Sequence, residues 1–381
     1  MSSAGAVPLT PLEIASGLVF GVEPVGERSS PRTPLAALEE AILPALHRPP
    51  CLVSFSGGRD SSCVLGIAAA LARRDGLPTP VPVTLGFRQL PEADESAWQE
   101  RVVSVIGLDD WVRLELGDAL DAVGPVAMKA VRRLGLLWPF NAYVHAPMLE
   151  AARGGSLLTG FGGDEHLEHM KSDRAHALIE RRARPVPRDV LRTGLAGAPW
   201  RVRKAILRRR GGLSLPWLVP DAQREVDDAW ATDAAQEPRR LQARADWWGR
   251  RRALRVAARS LGLLAAEEDV RIAHPLAVPA FAAAVLADAA LAESDRAGRL
   301  AAIFGDMLPG DVYSRRSKAS FNRAFFGPHA RALVADWTGN GVEPALVDLE
   351  ALRSAWREDV PDGRTFLLLQ AIALSRTTEG T

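Results

Sequence analysis

Cysteine is nearly missing from this sequence: two residues, Cys51 and Cys63, among 381. Two thiols cannot build a disulfide framework. Their places in an apolar run and in a helical pattern make them small buried hydrophobes, which fits a reducing compartment. Lysine is almost as scarce, with Lys129, Lys171, Lys204 and Lys318 the four among 47 basic residues, so a lysine here is not simply the habitual cation. Net charge is lacking too. The 47 basic residues face 46 acidic ones and leave +1, which excludes a global pull toward nucleic acid or an anionic membrane. No uninterrupted apolar run of about 18 residues occurs, and residues 1–17 lack a basic stretch ahead of an apolar one. The expectation is a cytoplasmic protein with neither nucleic acid nor membrane as partner. An internal repeat, a low-complexity linker and a Gly-x-x-x-x-Gly-Lys-Ser/Thr phosphate loop are absent as well.

What is present is 47% hydrophobic and 24% charged residues, enough for a sizeable core in one body or two tightly joined ones. A lead-in over residues 1–50 ends in a helical pattern from Leu35 to Leu46 that Pro49 and Pro50 terminate. The texture then alternates. Strands are predicted over Cys51 to Phe55, Val81 to Phe87, Trp111 to Leu114 and Ser156 to Thr159. Helices are predicted over Ser61 to Arg73, Ala93 to Ile106, Asp118 to Leu134 and Ala142 to Ala152. That order implies parallel pairing through right-handed crossovers, hence an α/β sheet covered on both faces over residues 51–175. Residues 176–381 carry Ala, Leu and Arg-rich helical patterns and no strand alternation, so this part is expected to be mostly helical and to complete the same body. Arg181 to Arg210 hold eleven Arg or Lys against one acid, Asp189, and Arg239 to Arg259 are again Arg-rich. Both read either as solvated helical faces or as a dock for an acidic peptide or a phosphate.

The strongest local signal is the string Ser54-Phe55-Ser56-Gly57-Gly58-Arg59-Asp60-Ser61-Ser62, which joins a buried strand to a helix through small and hydroxylated residues. Such a turn cradles phosphate. Gly57 and Gly58 let backbone N–H groups approach an anion, the helix presents its positive end, and Ser56, Ser61 and Ser62 can donate hydrogen bonds. Asp60 would repel the anion unless a cation such as Mg²⁺ lay between them. A second glycine-rich turn, Thr159-Gly160-Phe161-Gly162-Gly163-Asp164-Glu165, follows the predicted strand at Ser156. Carboxyl ends of parallel strands gather on one edge, so Asp60 and Asp164 can face one crevice.

The first string resembles the signature of the PP-loop ATP pyrophosphatases, and the pair of strings resembles the asparagine synthetase superfamily. The resemblance implies a PP-loop sheet of the adenine nucleotide alpha hydrolase type, with ATP and Mg²⁺ as cofactors. It implies ATP cleavage between the α and β phosphates, giving an adenylated carboxylate that an amine converts to an amide. By the same resemblance Asp60 and Asp164 match metal-binding acids. Ser54, Ser56, Gly57, Gly58, Asp60, Ser61, Ser62, Thr159, Gly160 and Gly163 match positions around ATP and its pyrophosphate. The stretch Val83 to Phe87, with Leu85, resembles the adenine-side strand, and Asp94-Glu95-Ser96 the acidic start of the next helix. The segment Arg315-Arg316-Ser317-Lys318-Ala319-Ser320-Phe321 matches the catalytic-lysine segment, with Lys318 as the lysine. A compact ammonium suits charge growing on a tetrahedral intermediate. Val270 to Leu276 resembles a further family segment, but Ala277 stands where that segment carries Asp.

Other departures narrow the expectation. Met1-Ser2 opens the sequence and about fifty residues precede the loop, so no glutaminase domain with an N-terminal Cys is expected. The amine is then free ammonia, the product of a separate subunit, or part of the acyl substrate. Asparagine synthetases resemble one another in Glu three residues before the second metal acid, and β-lactam synthetases in Tyr; here Phe161 offers neither. With Trp138-Pro139-Phe140-Asn141 before His145-Ala146-Pro147, and with Leu215 to Pro220, the sequence looks most like lasso-peptide macrolactam synthetases. That likeness implies an acyl or peptide substrate, with a leader-binding protein and a protease as partners. The alternatives are an amidotransferase fed with ammonia and a noncatalytic peptide-binding relative. His166 and His169 are taken as parts of a turn and helix and not as zinc ligands, for want of a third ligand at useful spacing. Asp246-Trp247-Trp248 reads as a groove lining or as core.

Overall fold

The computed structural model describes residues 7–23, 33–86, 95–116, 120–167, 178, 194, 197–288, 290–291, 294–315 and 322–379. Five strands, β1 (Cys51–Ser54), β2 (Val81–Gly86), β3 (Val112–Glu115), β4 (Ser156–Leu158) and β5 (Arg271–Ala273), form one parallel sheet in the order β3-β2-β1-β4-β5. The first four lie where the sequence places them. The fifth lies in the mostly helical second half, where no strand was singled out: Arg271–Ala273 pairs with β4 through Ser156↔Arg271, Leu157↔Ile272 and Leu158↔Ala273. Its three residues carry no alternation to read; the neighbouring strand makes it a strand.

Successive strand residues point to opposite faces and divide the core accordingly. Val53, Phe55 and Leu158 join one cluster with the helices Pro34–Leu46, Arg59–Asp75, Ser96–Ile106, Pro279–Ala287 and Arg296–Phe304. Leu52, Val83 and Leu157 join the other with Pro125–Leu134, Ala146–Ala151 and Arg252–Glu267. A third cluster lies in the late helices around Trp217, Phe325, Trp337, Trp356 and Phe366, and it takes in Ala15 from the lead-in. Trp217 Nε1 donates to the Ala15 carbonyl at 2.8 Å, tying the lead-in to this core.

Two predicted helices are shorter than the apolar spacing suggested, and proline is the reason. The one expected from Asp118 starts at Pro125, and the one expected over Ala142 to Ala152 is a 3₁₀ turn, Phe140–His145, followed by Ala146–Ala151 with Pro147 in its first turn. Proline suits a first turn, where its missing N–H costs nothing, and so marks a start. The Arg-rich stretch after Arg239 divides: Arg239, Arg240, Arg255 and Arg259 are exposed, and others turn to the interior. Arg244, Arg251 and Arg252 are drawn inward to Glu237 (2.9 Å), Asp233 (2.6 Å) and Glu13 (2.9 Å). Trp247 and Trp248 beside them are buried and make core. In the earlier stretch the helix Trp200–Arg210 leaves Arg208, Arg209 and Arg210 exposed, while residues 181–193 lie outside the described residues. No helix among the described residues is long and apolar enough to cross a membrane.

Candidate active site

From β1 the chain leaves to β2 on one side, and it later returns through β4 on the other. The carboxyl ends of β1 and β4 therefore part at the switch point of the sheet, where a crevice must open. Beyond β1 the loop is held from behind. Phe55 N donates to the Val83 carbonyl at 2.9 Å, Thr84 Oγ1 to the Phe55 carbonyl at 2.8 Å and Gln99 Nε2 to the Ser56 carbonyl at 3.1 Å. Gly57 then turns with φ +81°, and a Cβ there would come within 2.9 Å of Gln99 Cγ, so only glycine fits. Gly58 is the N-cap of Arg59–Asp75 and no side chain caps this helix. Its first amides thus keep their donors for an anion, backed by the helix dipole.

The serines divide by role. Ser54, Ser56 and Ser61 line the crevice with Gly58 and Asp60. Ser61 Oγ donates to the Gly58 carbonyl at 3.0 Å and accepts from Ser56 N at 3.3 Å, so it also braces the loop. Ser62 is fully buried and donates to the same Gly58 carbonyl at 2.9 Å, which shapes the turn and leaves it off the crevice wall. Leu85, on β2, is likewise absent from the wall and packs in the second core cluster.

At the end of β4, Thr159, Gly160, Phe161 and Asp164 reach the same crevice. Thr159 Oγ1 bonds His274 Nδ1 at 2.7 Å and accepts from Phe161 N at 3.3 Å, and Phe161 meets the His274 ring edge-to-face at 5.1 Å. Gly163 abuts Asp60 so closely that a Cβ on it would fall 2.3 Å from the Asp60 carboxyl carbon. The two acids are joined by a residue the sequence reading did not single out. Arg296 Nη2 donates to Asp60 Oδ2 at 2.5 Å and Nη1 to Asp164 Oδ1 at 2.6 Å. Burial pushes the Asp60 carboxyl above its usual range; Arg296 opposes that shift and the charge of Asp164 adds to it.

These residues suit a divalent cation. Asp60 and Asp164 already converge on one positive group, and Asp60 Oδ1 is buried without a hydrogen-bond partner among the described residues. Asp60 and Asp164 would hold the ion, which would neutralise charge on a bound diphosphate.

The crevice is a cavity of about 580 Å³. Its walls carry the polar residues just described with Arg59, Arg296 and Arg315, and also Pro139, Asn141, Ala142, His145, Ala257 and Leu261. Arg315 closes the rim: it donates to the Gly57 carbonyl at 2.9 Å, pairs with Glu95 at 2.7 Å and lies 4.8 Å over the Trp98 ring. Lys318, His169 and Asp94 lie outside the described residues; Arg315, three positions before Lys318, is on the cavity wall. His145 Nδ1 faces the Ala142 carbonyl at 3.3 Å. A carbonyl only accepts, so Nδ1 carries the hydrogen and Nε2 the lone pair. Burial lowers the pKa of His145, keeping the ring neutral.

The sequence thus named both turns and both acids, and it missed Arg296, Asn141 and His145 as walls of the same cavity. Arg296 carried no motif. Its only local mark is the helix start at Asp295, whose side chain accepts from Gly298 N, and its partners lie 132 and 236 positions away. In comparison with known proteins, the model of the asparagine synthase family matches residues 36–370. No curated protein matches the chain.

Proposed function

We propose, from the premise that this chain belongs to the asparagine synthase family of ATP-dependent ligases, that it adenylates a peptide carboxylate and closes an amide ring, releasing AMP and pyrophosphate. The observation that carries the reading is the meeting, at one switch-point cavity, of an uncapped helix end and two acids sharing a cation. A diphosphate fits the first amides of Arg59–Asp75 together with Ser56 and Ser61, and Arg59 and Arg315 add positive charge on the same wall.

Pro139, Ala142, Phe161, Ala257 and Leu261 on the cavity wall, beside Asn141 and His145, offer apolar contact to the acyl group. A mixed anhydride is hydrolysed readily, and apolar contact favours aminolysis over that loss. In the amide step the amine nitrogen bonds the acyl carbon, the carbon–oxygen bond to the phosphate breaks, and AMP leaves with the electron pair. The proton leaves the nitrogen for a base. Phe161 offers none; His145, neutral and on the same wall, takes that role through Nε2. Lys318 is assigned to charge on the tetrahedral intermediate. A tethered amine needs no second substrate, and orientation of this kind is worth roughly 7–11 kcal/mol. A leader-binding protein and a protease belong to this reading as partners.

The test is ATP–pyrophosphate exchange with synthetic peptides that carry a free N-terminus and one internal Asp or Glu, followed by mass spectrometry for loss of one water. Exchange with ring closure is the expected result. Exchange that yields product only with added ammonium salts replaces ring closure by ammonia transfer. No exchange together with no calorimetric binding of magnesium ATP overturns the reading.

A further inference from the structure

We infer that His274 is a positioning residue for the amide step: it fixes the Thr159 hydroxyl as a hydrogen-bond donor to the acyl oxygen, where negative charge gathers as the amine attacks. The inference rests on the reading above that this cavity adenylates a carboxylate.

The register of the sheet brings the two residues together. Leu158 pairs with Ala273 and Thr159 N donates to the Ala273 carbonyl at 3.1 Å, so Thr159 and His274 follow side by side as β4 and β5 leave the sheet. Their side chains meet at 2.7 Å, between Thr159 Oγ1 and His274 Nδ1. Phe161 holds both: its ring meets the imidazole edge-to-face at 5.1 Å, and its N donates to Thr159 Oγ1 at 3.3 Å.

Counting hydrogens shows what the pair lacks. Burial, helped by the charge of His145, lowers the pKa of His274 to about 4, so the ring is neutral and carries one N–H. The threonine hydroxyl carries one hydrogen too, and the contact between the two side chains uses only one of them. The other has no acceptor among the described residues. Were Thr159 the donor in that contact, the spare hydrogen would sit on His274 Nε2, which is buried without a partner. A buried N–H with no acceptor is a costly and rare defect. With Nδ1–H donating to Oγ1, both lone pairs of the hydroxyl are filled, one by His274 and one by Phe161 N, and the spare hydrogen is on Thr159. Thr159 lines the cavity and His274 does not, so the hydrogen is on the residue that a ligand oxygen can reach.

The place suits the acyl oxygen. On one side the turn abuts the phosphate loop, where a Cβ on Gly160 would fall 3.0 Å from Ser61 N. His145, the assigned base, shares the same cavity wall. A donor held between the phosphate loop and the base is in position before charge develops, which is the condition for electrostatic stabilisation of an oxyanion.

The first measurement needs no substrate. In ¹⁵N-histidine NMR of the full chain, with the His274 signals assigned by their loss in His274→Asn, the hydrogen is expected on Nδ1; a hydrogen on Nε2 overturns the inference. The second is the rate of ring closure at saturating magnesium ATP and peptide. Thr159→Val is expected to slow it about 10²–10³-fold with KM for ATP within about threefold of wild type. His274→Leu is expected to slow it by about as much, yet to add less than about threefold in the Thr159→Val background, because it acts through that hydroxyl. His274→Asn, whose amide N–H takes the place of Nδ1–H, is expected to stay within about tenfold of wild type, and it serves if the leucine variant does not fold. If Thr159→Val closes the ring like wild type, if the two losses multiply, or if folded His274→Asn is as slow as Thr159→Val, the inference is overturned. Failure of the underlying reading looks different: wild type itself then gives neither ATP–pyrophosphate exchange nor product, and the inference falls with it.

Discussion

Replacing Gly163 by alanine sets two opposing effects against each other at one atom. Gly163 opens the helix Gly163–Leu167, and helix propensity alone favours alanine over glycine by up to about 1 kcal/mol. The new methyl, however, would lie 2.3 Å from Asp60 Cγ and 2.4 Å from Oδ2. Carbon atoms settle near 3.5 Å, so the carboxylate must retreat by about 1 Å. Asp60 cannot retreat freely, since Arg296 grips it at 2.5 Å. Overpacking of this kind costs about 1–3 kcal/mol, and the strained ion pair adds to it. The net is a loss of about 1–3 kcal/mol. A chain of this length loses roughly 1 °C of Tm per kcal/mol, so the melt falls by about 1–4 °C. Magnesium-dependent ATP affinity falls further, about 10–100-fold, because a displaced ligand is felt directly by the metal.

Gly262→Ala is the matched control. Gly262 lies within the helix Arg252–Glu267, and a Cβ there meets nothing within 4 Å. It should gain about 0.5–1 kcal/mol and leave ATP binding alone. Calorimetric titration with magnesium ATP and a thermal melt of both variants decide the matter. A Gly163→Ala protein that melts higher and binds magnesium ATP like wild type refutes the steric argument and the placement of Asp60 with it.

Lys318→Ala should hold ATP affinity within about threefold while turnover falls by about 10²–10³; turnover equal to wild type removes the lysine from the chemistry. His145→Gln should leave ATP–pyrophosphate exchange intact and slow amide formation by about 10²–10⁴, with the acid limb of its pH profile lost, and slowing of both steps together would instead mark a packing role. Stability should fall with acid. His166 and His274 are held neutral by burial, each with its pKa lowered to about 4. The unfolded chain binds their protons near 6.5, so stability is full above that value and is lost as pH falls toward 4, by about 1–2 kcal/mol per histidine at pH 5. Urea midpoints that do not drop between pH 7 and pH 5 contradict it.

The legible parts of this protein were those written in consecutive residues. Cys51 to Phe55 and the glycine turn after it stand next to one another in sequence and in space, and so do Thr159 to Asp164. Helix starts were read less well where glycine did the capping: the helix expected at Ser61 begins at Arg59 because Gly58 provides no side-chain signal. At Pro125 and Pro147 the signal was present and the apolar spacing overrode it. β5 and Arg296 were beyond sequence reasoning altogether, because each takes its meaning from a partner more than a hundred positions away. Burial of Arg244 and Arg251 was hidden for the same reason, since an arginine paired inside and an arginine in water look alike in a string.

The place of β5 has a consequence for biosynthesis. Until it emerges, β4 presents an unpaired edge whose central residue, Leu157, is wholly buried in the finished protein. Translation of the intervening stretch, about a hundred residues at about 5–20 residues per second, leaves that edge open for roughly 5–20 s. A nascent chain therefore passes through an interval in which the half-made sheet is sticky and its nucleotide pocket still lacks Arg296 and Arg315. The cavity wall is therefore completed only after the sheet edge has been covered.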